Sequence, residues 1–250
     1  LSAWYVPEVF AMLIGMHSYR GKLRTFFETR SFDLLYVRSP LVLDAALSSR
    51  IPVVLELHAL PKSYAKRFID QCNACTRVVC LTTAMREELL SWGVEREKII
   101  VEGDGVDLTK FVNLPSKEDA QTQWNLPDDR PVLGYTGSLY TQTTIEKGIT
   151  QMLAGFMTLK ERGMPFYGWI VGGSIEECAV FEKKAREEFG LTNDDVRFEG
   201  HVHAHRIPSA IAACDVCLYP APKSDHPFFQ RDTSPLKLFE YLAARRSIVC

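Results

Sequence analysis

Short apolar runs alternate with stretches of helical period along most of the 250 residues. Phe32–Arg38, Ile51–His58, Thr76–Leu81 and Ile99–Val101 have the length and β-branched character of buried parallel strands. Helical patterns lie between them at Pro40–Arg50 and Ala84–Trp92; Thr82 or Thr83 can cap the second, and Gly93 can end it. From Asn113 to Arg130 the chain turns polar, with Pro115, Pro127, two adjacent aspartates and one short helical piece after Ser116, which predicts a linker. A second series follows, with strands at Pro131–Thr136, Tyr167–Val171, Val196–Phe198 and Val216–Tyr219. Helices are predicted at Gly148–Arg162, Ile175–Phe189 and Ile207–Ala213. The pattern is that of an α/β protein with two doubly wound parallel sheets, residues 1–112 and 131–250, joined by 113–130.

The opening LSAWYVPEVFAMLIGMHSY is apolar and aromatic. It lacks a basic leading segment and contains Pro7 and Glu8, so it reads as a core helix or a partner-facing segment rather than a signal peptide. No apolar run reaches the roughly 18 residues of a membrane span. A net charge of −2 without any block of like charge gives no footing for nucleic acid. The chain starts without Met and stops at Cys250 inside a strand pattern, so a larger protein is expected.

Seven cysteines, an odd number, sit in apolar runs such as Val78-Val-Cys-Leu81, which points to a reducing, cytoplasmic compartment. Cys72/Cys75 and Cys214/Cys217 have Cys-x-x-Cys spacing. The long span between the pairs and the strand around Cys217 do not suit zinc, and buried thiols are expected.

The densest chemistry lies at the end, in Asp232-Thr-Ser-Pro-Leu-Lys-Leu-Phe-Glu240 and the residues that follow. Ser234 suits an N-cap and Pro235 a first helical position. Leu236, Phe239, Leu242 and Ala243 recur at helical spacing and predict one buried apolar face. Such a helix start offers free N–H groups to an anion such as phosphate, and Lys237 adds a cation. A solvated Lys237–Glu240 pair at i,i+3 is the ordinary alternative.

Asp232 and Glu240 have seven residues between them. This spacing, with Ser-Pro-Leu-Lys-Leu-Phe inside it, resembles the signature helix of GT-B glycosyltransferases of the large retaining family 4. Thr136-Gly-Ser-Leu139, Glu146-Lys-Gly148, Ile170-Val-Gly-Gly173, Phe198-Glu-Gly-His-Val202, Cys214-Asp-Val216 and Tyr219-Pro220 are similar to that family's donor domain. Glu56-Leu-His58, and Asp104-Gly-Val-Asp107 followed by Phe111, resemble its acceptor domain and the crossing into the linker. The resemblance implies two Rossmann-like domains facing a cleft, incomplete at both ends. It also implies retaining transfer of a sugar from a UDP- or GDP-linked donor to an acceptor hydroxyl.

Such a transfer needs the growing charge of a nucleoside diphosphate to be stabilised away from water. Lys147, beside Gly148 at a helix start, supplies one cation, and Ser234, Pro235, Leu236 and Lys237 supply a helix terminus. No Asp-x-Asp triplet occurs, so neither a divalent metal nor any cofactor besides the donor is expected. Gly137 and Ser138 bring backbone close to the phosphates. Glu240 suits the cis-diol of a ribose. The turn Gly200–His203 resembles the place where the family cradles the base, with His203 as a base contact, whereas Gly172-Gly173 reads equally well as a strand-to-helix turn. His58 ends a parallel strand, where open α/β sheets place ligands. The family carries a histidine there, facing the sugar, and Glu56 either orients it or packs. Asp232 stands where the family's sugar-binding acid stands.

Several positions depart from the family. Asp232 replaces a glutamate, Ser138 an arginine, Arg245 a glycine, and the glycine-rich first loop is absent. These departures sustain a second reading, a degenerate homologue serving as a binding or scaffold subunit, beside a third, a GT-B sugar-nucleotide epimerase. The acceptor class, whether glycan, lipid-linked or small molecule, stays open. So does a peripheral contact of Trp4 and Phe10 with the cytoplasmic face of a membrane.

Overall fold

The apolar runs form two parallel sheets in the computed structural model of the chain, which describes residues 8–141, 145–220, 226–232 and 234–250. Two compact units result. One takes in residues up to Asp104 together with 225–234, and the other takes in Gly105–Ser224 and Pro235–Cys250. Residues 113–130, expected as a linker, therefore lie in the second unit. Their helix is capped by Ser116, whose hydroxyl accepts from Asp119 N at 3.1 Å, and it buries Ala120 in that unit's core, beside Trp124.

In the first unit, helix α1 (Glu8–Glu28) precedes β1 (Leu35–Val37), α2 (Leu43–Leu47), β2 (Val53–Leu57), α3 (Lys66–Ala74), β3 (Arg77–Cys80), α4 (Thr83–Trp92) and β4 (Ile99–Val101). The strands lie in sequential order, all parallel. Right-handed crossovers in that order place their helices on one face. Accordingly Val53, Leu55 and Leu57 of β2 share a single core with Leu43, Phe68, Cys72, Met85 and Leu89. Residues 228–232 form one π-helical turn that belongs to this unit: the Thr82 hydroxyl accepts from Met85 N to cap α4 and donates to Arg231 O at 2.6 Å.

The second unit runs through α5 (Lys117–Gln123), β5 (Val132–Thr136), β6 (Tyr140–Thr141), β7 (Ile145–Glu146), α6 (Ile149–Glu161), β8 (Tyr167–Val171), α7 (Ile175–Phe189) and β9 (Val196–Gly200). It continues through α8 (Ile207–Ala212), β10 (Val216–Leu218), α9 (Leu236–Ala243) and β11 (Ser247–Val249). Its sheet order is β11-β10-β5-β8-β9, so the chain starts in the middle, moves out to β9 and returns to the other side of β5. Side chains alternate between two cores accordingly. Tyr167, Trp169 and Val171 of β8 face Trp124, Ala210 and Tyr241, whereas Ile170 joins Leu153, Phe156 and Phe181. The sequence pattern did not predict the short antiparallel pairing of β6 with β7.

Helix α9 faces the core with a different stripe from the expected one. Leu236 is 52 % and Leu242 62 % exposed, while Tyr241 and Ala244 are buried and Leu238 packs against the core. Leucine and phenylalanine outscore tyrosine in any apolar count, but Tyr241 is buried without penalty because its hydroxyl is satisfied. The helix also starts one residue late. Pro235 holds the N-cap position and Ser234 does not cap it; the Ser234 hydroxyl accepts instead from Asp104 N at 2.8 Å.

Cys72, Cys75, Cys80, Cys178, Cys214 and Cys217 are free and buried. Burial pushes the Cys72 thiol up to about 12 and the Cys75 thiol to about 11, so neither is nucleophilic near neutrality. Among the described residues no helix is long and apolar enough to cross a membrane.

Candidate nucleotide site of the second unit

The reversal of strand order between β5 and β10 makes a switch point, where ligands bind beyond the carboxyl ends of the strands. The loop after β5 is built for close approach. Gly137 has φ 139°, and a β-carbon on Gly172 would stand 2.1 Å from Gly137 O. Only glycine lets these two backbones meet.

Glu146-Lys147-Gly148 opens α6. The Glu146 carboxylate accepts from Thr150 N at 2.5 Å and from its hydroxyl at 2.8 Å, filling the helix start. Gly148 has φ 84°, and a β-carbon there would meet Pro220 at 2.6 Å, so the turn lies against the end of the β10 segment. Lys147 is thereby aimed back over the loop, where Nζ donates to the Ser138 hydroxyl at 2.9 Å. Burial holds its amine below the usual lysine range.

A second lysine arrives from α9. Lys237 Nζ donates to the Tyr135 hydroxyl at 2.6 Å and lies 3.9 Å from the centre of that ring. A β-carbon on Gly137 would sit 3.0 Å from it. Burial, and then the neighbouring Lys147, lower its pKa to about 7, against a pull upward from Glu240. Two cations thus flank one glycine loop in a partly dry setting. Glu240 follows on α9; burial raises its carboxyl above the usual range, with Lys237 and Lys110 opposing. Among the described residues, no hydrogen bond reaches this carboxylate.

Beside the loop lies a cavity of about 520 Å³, lined among others by Gly137, Ser138, Gly173, Glu177, His201 and Val202. Gly172 also lines it. His203 does not line it: its ring stacks on His205 with centroids 5.8 Å apart. His201, from the same turn after β9, lines it instead. Sequence reasoning also missed Tyr135. Its position two residues before Gly137, on a strand whose side chains alternate, was the available signal.

The remaining predicted residues belong to the first unit. Asp232 is buried and bound bidentately by Arg231 at 2.5 and 3.0 Å, and Arg231 also pairs with Glu88 at 3.0 Å. Ser234 lies in the same unit. His58 follows β2 directly. Its Nε2 contacts the Glu56 carboxylate, and Arg38 Nη2 lies 2.7 Å from it. Burial pushes the Glu56 carboxyl up, but hydrogen bonds from Tyr36 and His58 and the charge of Arg38 prevail and hold it below its usual value. The structure therefore gathers Gly137, Ser138, Lys147, Lys237 and Glu240 in the second unit and places Asp232, Ser234 and His58 in the first.

Parallel α/β units with a ligand-ready switch point are the architecture of nucleotide-sugar enzymes of the GT-B class, and the chain has the GT-B fold. Residues 5–110 match the family model of Glycosyltransferase Family 4. No curated protein matches the chain. Among solved structures it resembles a glycosyltransferase from Rickettsia africae ESF-5, at 17 % identity and TM-score 0.70 over 99 % of this chain and 63 % of that one. It also resembles Anabaena HepE in complex with UDP, at 19 % identity and TM-score 0.70 over 92 % of this chain and 62 % of that one. Sucrose-phosphate synthase from Thermosynechococcus elongatus gives 17 % identity and TM-score 0.70 over 98 % and 62 %. The chain thus spans a little over three fifths of the length of these structures.

Proposed function

We propose that the protein is a retaining glycosyltransferase that takes a sugar from a nucleotide donor, UDP-linked in the first instance, to an acceptor hydroxyl. The observation that carries this reading is the convergence of Lys147 and Lys237 on the Gly137–Ser138 loop, next to a cavity of nucleoside size. Transfer leaves negative charge on a diphosphate, and preorganised cations worth little in water are worth much more in a site that excludes it. The lysines meet that charge directly, so the reaction runs without a divalent metal. Glu240, with free lone pairs, accepts from the ribose diol. HepE was crystallised with UDP and with UDP-glucose, which supports a uridine donor for a chain of the same fold.

In the same reading the first unit takes the acceptor, and His58, braced by Glu56, lies at the carboxyl end of β2. Asp232 is the counterpart of the family's sugar-binding acid.

Calorimetry with UDP, GDP, ADP and UDP-glucose, each with EDTA present, tests the proposal. Binding of UDP and UDP-glucose with chelator is the expected result. Failure of every nucleotide to bind, or binding that needs Mg²⁺ or Mn²⁺, would overturn it.

A further inference from the structure

The family resemblance places an arginine after Gly137, and here Ser138 stands there. A serine cannot deliver charge to the loop. The cation that the loop has besides Lys147 comes from α9, and it stays in place because of a residue on a different element.

Tyr135 is fully buried on β5, yet its hydroxyl has two partners. It donates its single hydrogen to Ser138 O at 2.8 Å, which leaves its lone pairs free to accept from Lys237 Nζ at 2.6 Å. The ring face adds a cation–π contact at 3.9 Å. On the opposite side, the missing side chain of Gly137 makes the space that Nζ and Cε occupy. The phenol therefore joins the lysine to the backbone of the loop that approaches the ligand.

We infer that Tyr135 is a positioning residue for donor binding: it holds the Lys237 ammonium against the Gly137–Ser138 loop and so replaces, from a neighbouring strand and helix, the cation that Ser138 does not provide. This rests on the nucleotide reading of the site and adds to it a residue that touches no substrate. The groups facing Lys237 are Tyr135 from β5, Lys147 from the β7–α6 turn, Glu240 one turn on along α9, and Tyr219 after β10, whose ring is 5.9 Å away. Lys147 repels the ammonium, Glu240 attracts it, and the Tyr135 hydroxyl is its one direct hydrogen-bond acceptor among the described residues. Loss of that acceptor disfavours the charged form.

The test compares wild type with Tyr135→Phe, which keeps the ring and loses the hydroxyl, and with Tyr135→Leu, which loses both. UDP affinity is measured by calorimetry from pH 6 to 9, uridine binding by ligand-observed NMR, and the Lys237 side-chain titration by NMR on the free protein. In wild type, UDP affinity should fall as pH rises through neutrality, whereas uridine binding should not. Tyr135→Phe should weaken UDP binding about tenfold at pH 7.5, leave uridine unchanged and move the Lys237 midpoint to lower pH. An unchanged Lys237 midpoint in Tyr135→Phe overturns the inference whatever nucleotide does. So does an equal loss of UDP and uridine, which would mark Tyr135 as a packing residue alone. A wild type that binds neither UDP nor uridine would sink the nucleotide reading and this inference together, and that outcome differs from the other two.

Discussion

The hydroxyl of Tyr241 accepts from the backbone amide of Thr136 at 2.9 Å, which ties the middle of α9 to the last residue of β5. Four residues earlier on the same helix, Lys237 reaches the loop that begins at Gly137. One buried hydrogen bond thus sets the register between a helix and a strand end, and the cation is placed by it.

Tyr241→Phe should therefore do more than its size suggests. The ring still fills its space, but the Thr136 amide is left buried without a partner, at a cost of about 1–3 kcal/mol. Denaturant unfolding should show this loss, accompanied by weaker UDP binding as Lys237 shifts. Stability equal to that of wild type would mean that water reaches the amide and that the register is set elsewhere.

Lys237 is a cation held where a cation is unfavourable. Its folded value of about 7 lies below the unfolded value of roughly 10.4, so the unfolded chain binds more protons between these limits. The penalty is complete below pH 7, shrinks as pH rises and vanishes above the unfolded value. Lys237→Met should raise the melting temperature at pH 6, by about 2–4 °C per kcal/mol relieved, and have little effect near pH 10. The same variant should lose UDP affinity. A thermal shift series across pH checks both the sign and the window.

Lys147→Ala removes the other cation, which among the described residues donates to the Ser138 hydroxyl. Transfer should fall by roughly 10²-fold or more with the fold intact, since the charge acts on the leaving group. Near-normal turnover with a verified donor would reduce Lys147 to a surface residue.

The two acids with seven residues between them should behave differently. Glu240→Gln should raise the donor KM and leave kcat close to wild type, because a ribose contact is equal in ground and transition states. Asp232→Asn should instead lower kcat and destabilise the first unit by about 1–2 kcal/mol, since it removes one of the two carboxylates, with Glu88, that pair with the buried Arg231. Steady-state kinetics and unfolding on both variants separate these effects. An Asp232→Asn protein of full stability would show the Arg231 pair to be dispensable.

The alternation of apolar runs and helical periods made the two parallel sheets legible, because fully buried strands such as Tyr167–Val171 need continuous apolar sequence. Thr82, Gly93 and Ser116 also announced their helix ends, since caps act within one turn. The short motifs also announced the Gly137 turn and the helix start after Lys147. What was hidden depended on distance in sequence. No local rule says that Tyr135 meets Lys237, or that the Ser234 hydroxyl serves Asp104 rather than its own helix. The buried face of α9 was misread because Tyr241 is polar by composition and apolar by position once Thr136 satisfies it.

The first unit is discontinuous: residues 225–234 complete it after the chain has passed through the second unit. During synthesis, α4 therefore emerges with Glu88 lacking Arg231 and with the Thr82 hydroxyl lacking its acceptor, until β5 through β10 have left the ribosome. A chain stopped after β4 cannot form this unit in full. The order of translation makes the finishing of the first unit wait upon the second, so a premature stop anywhere before Arg231 leaves α4 without its ion pair at Glu88 and without the hydrogen bond from Thr82 to Arg231, in a unit for chaperones and proteases to handle.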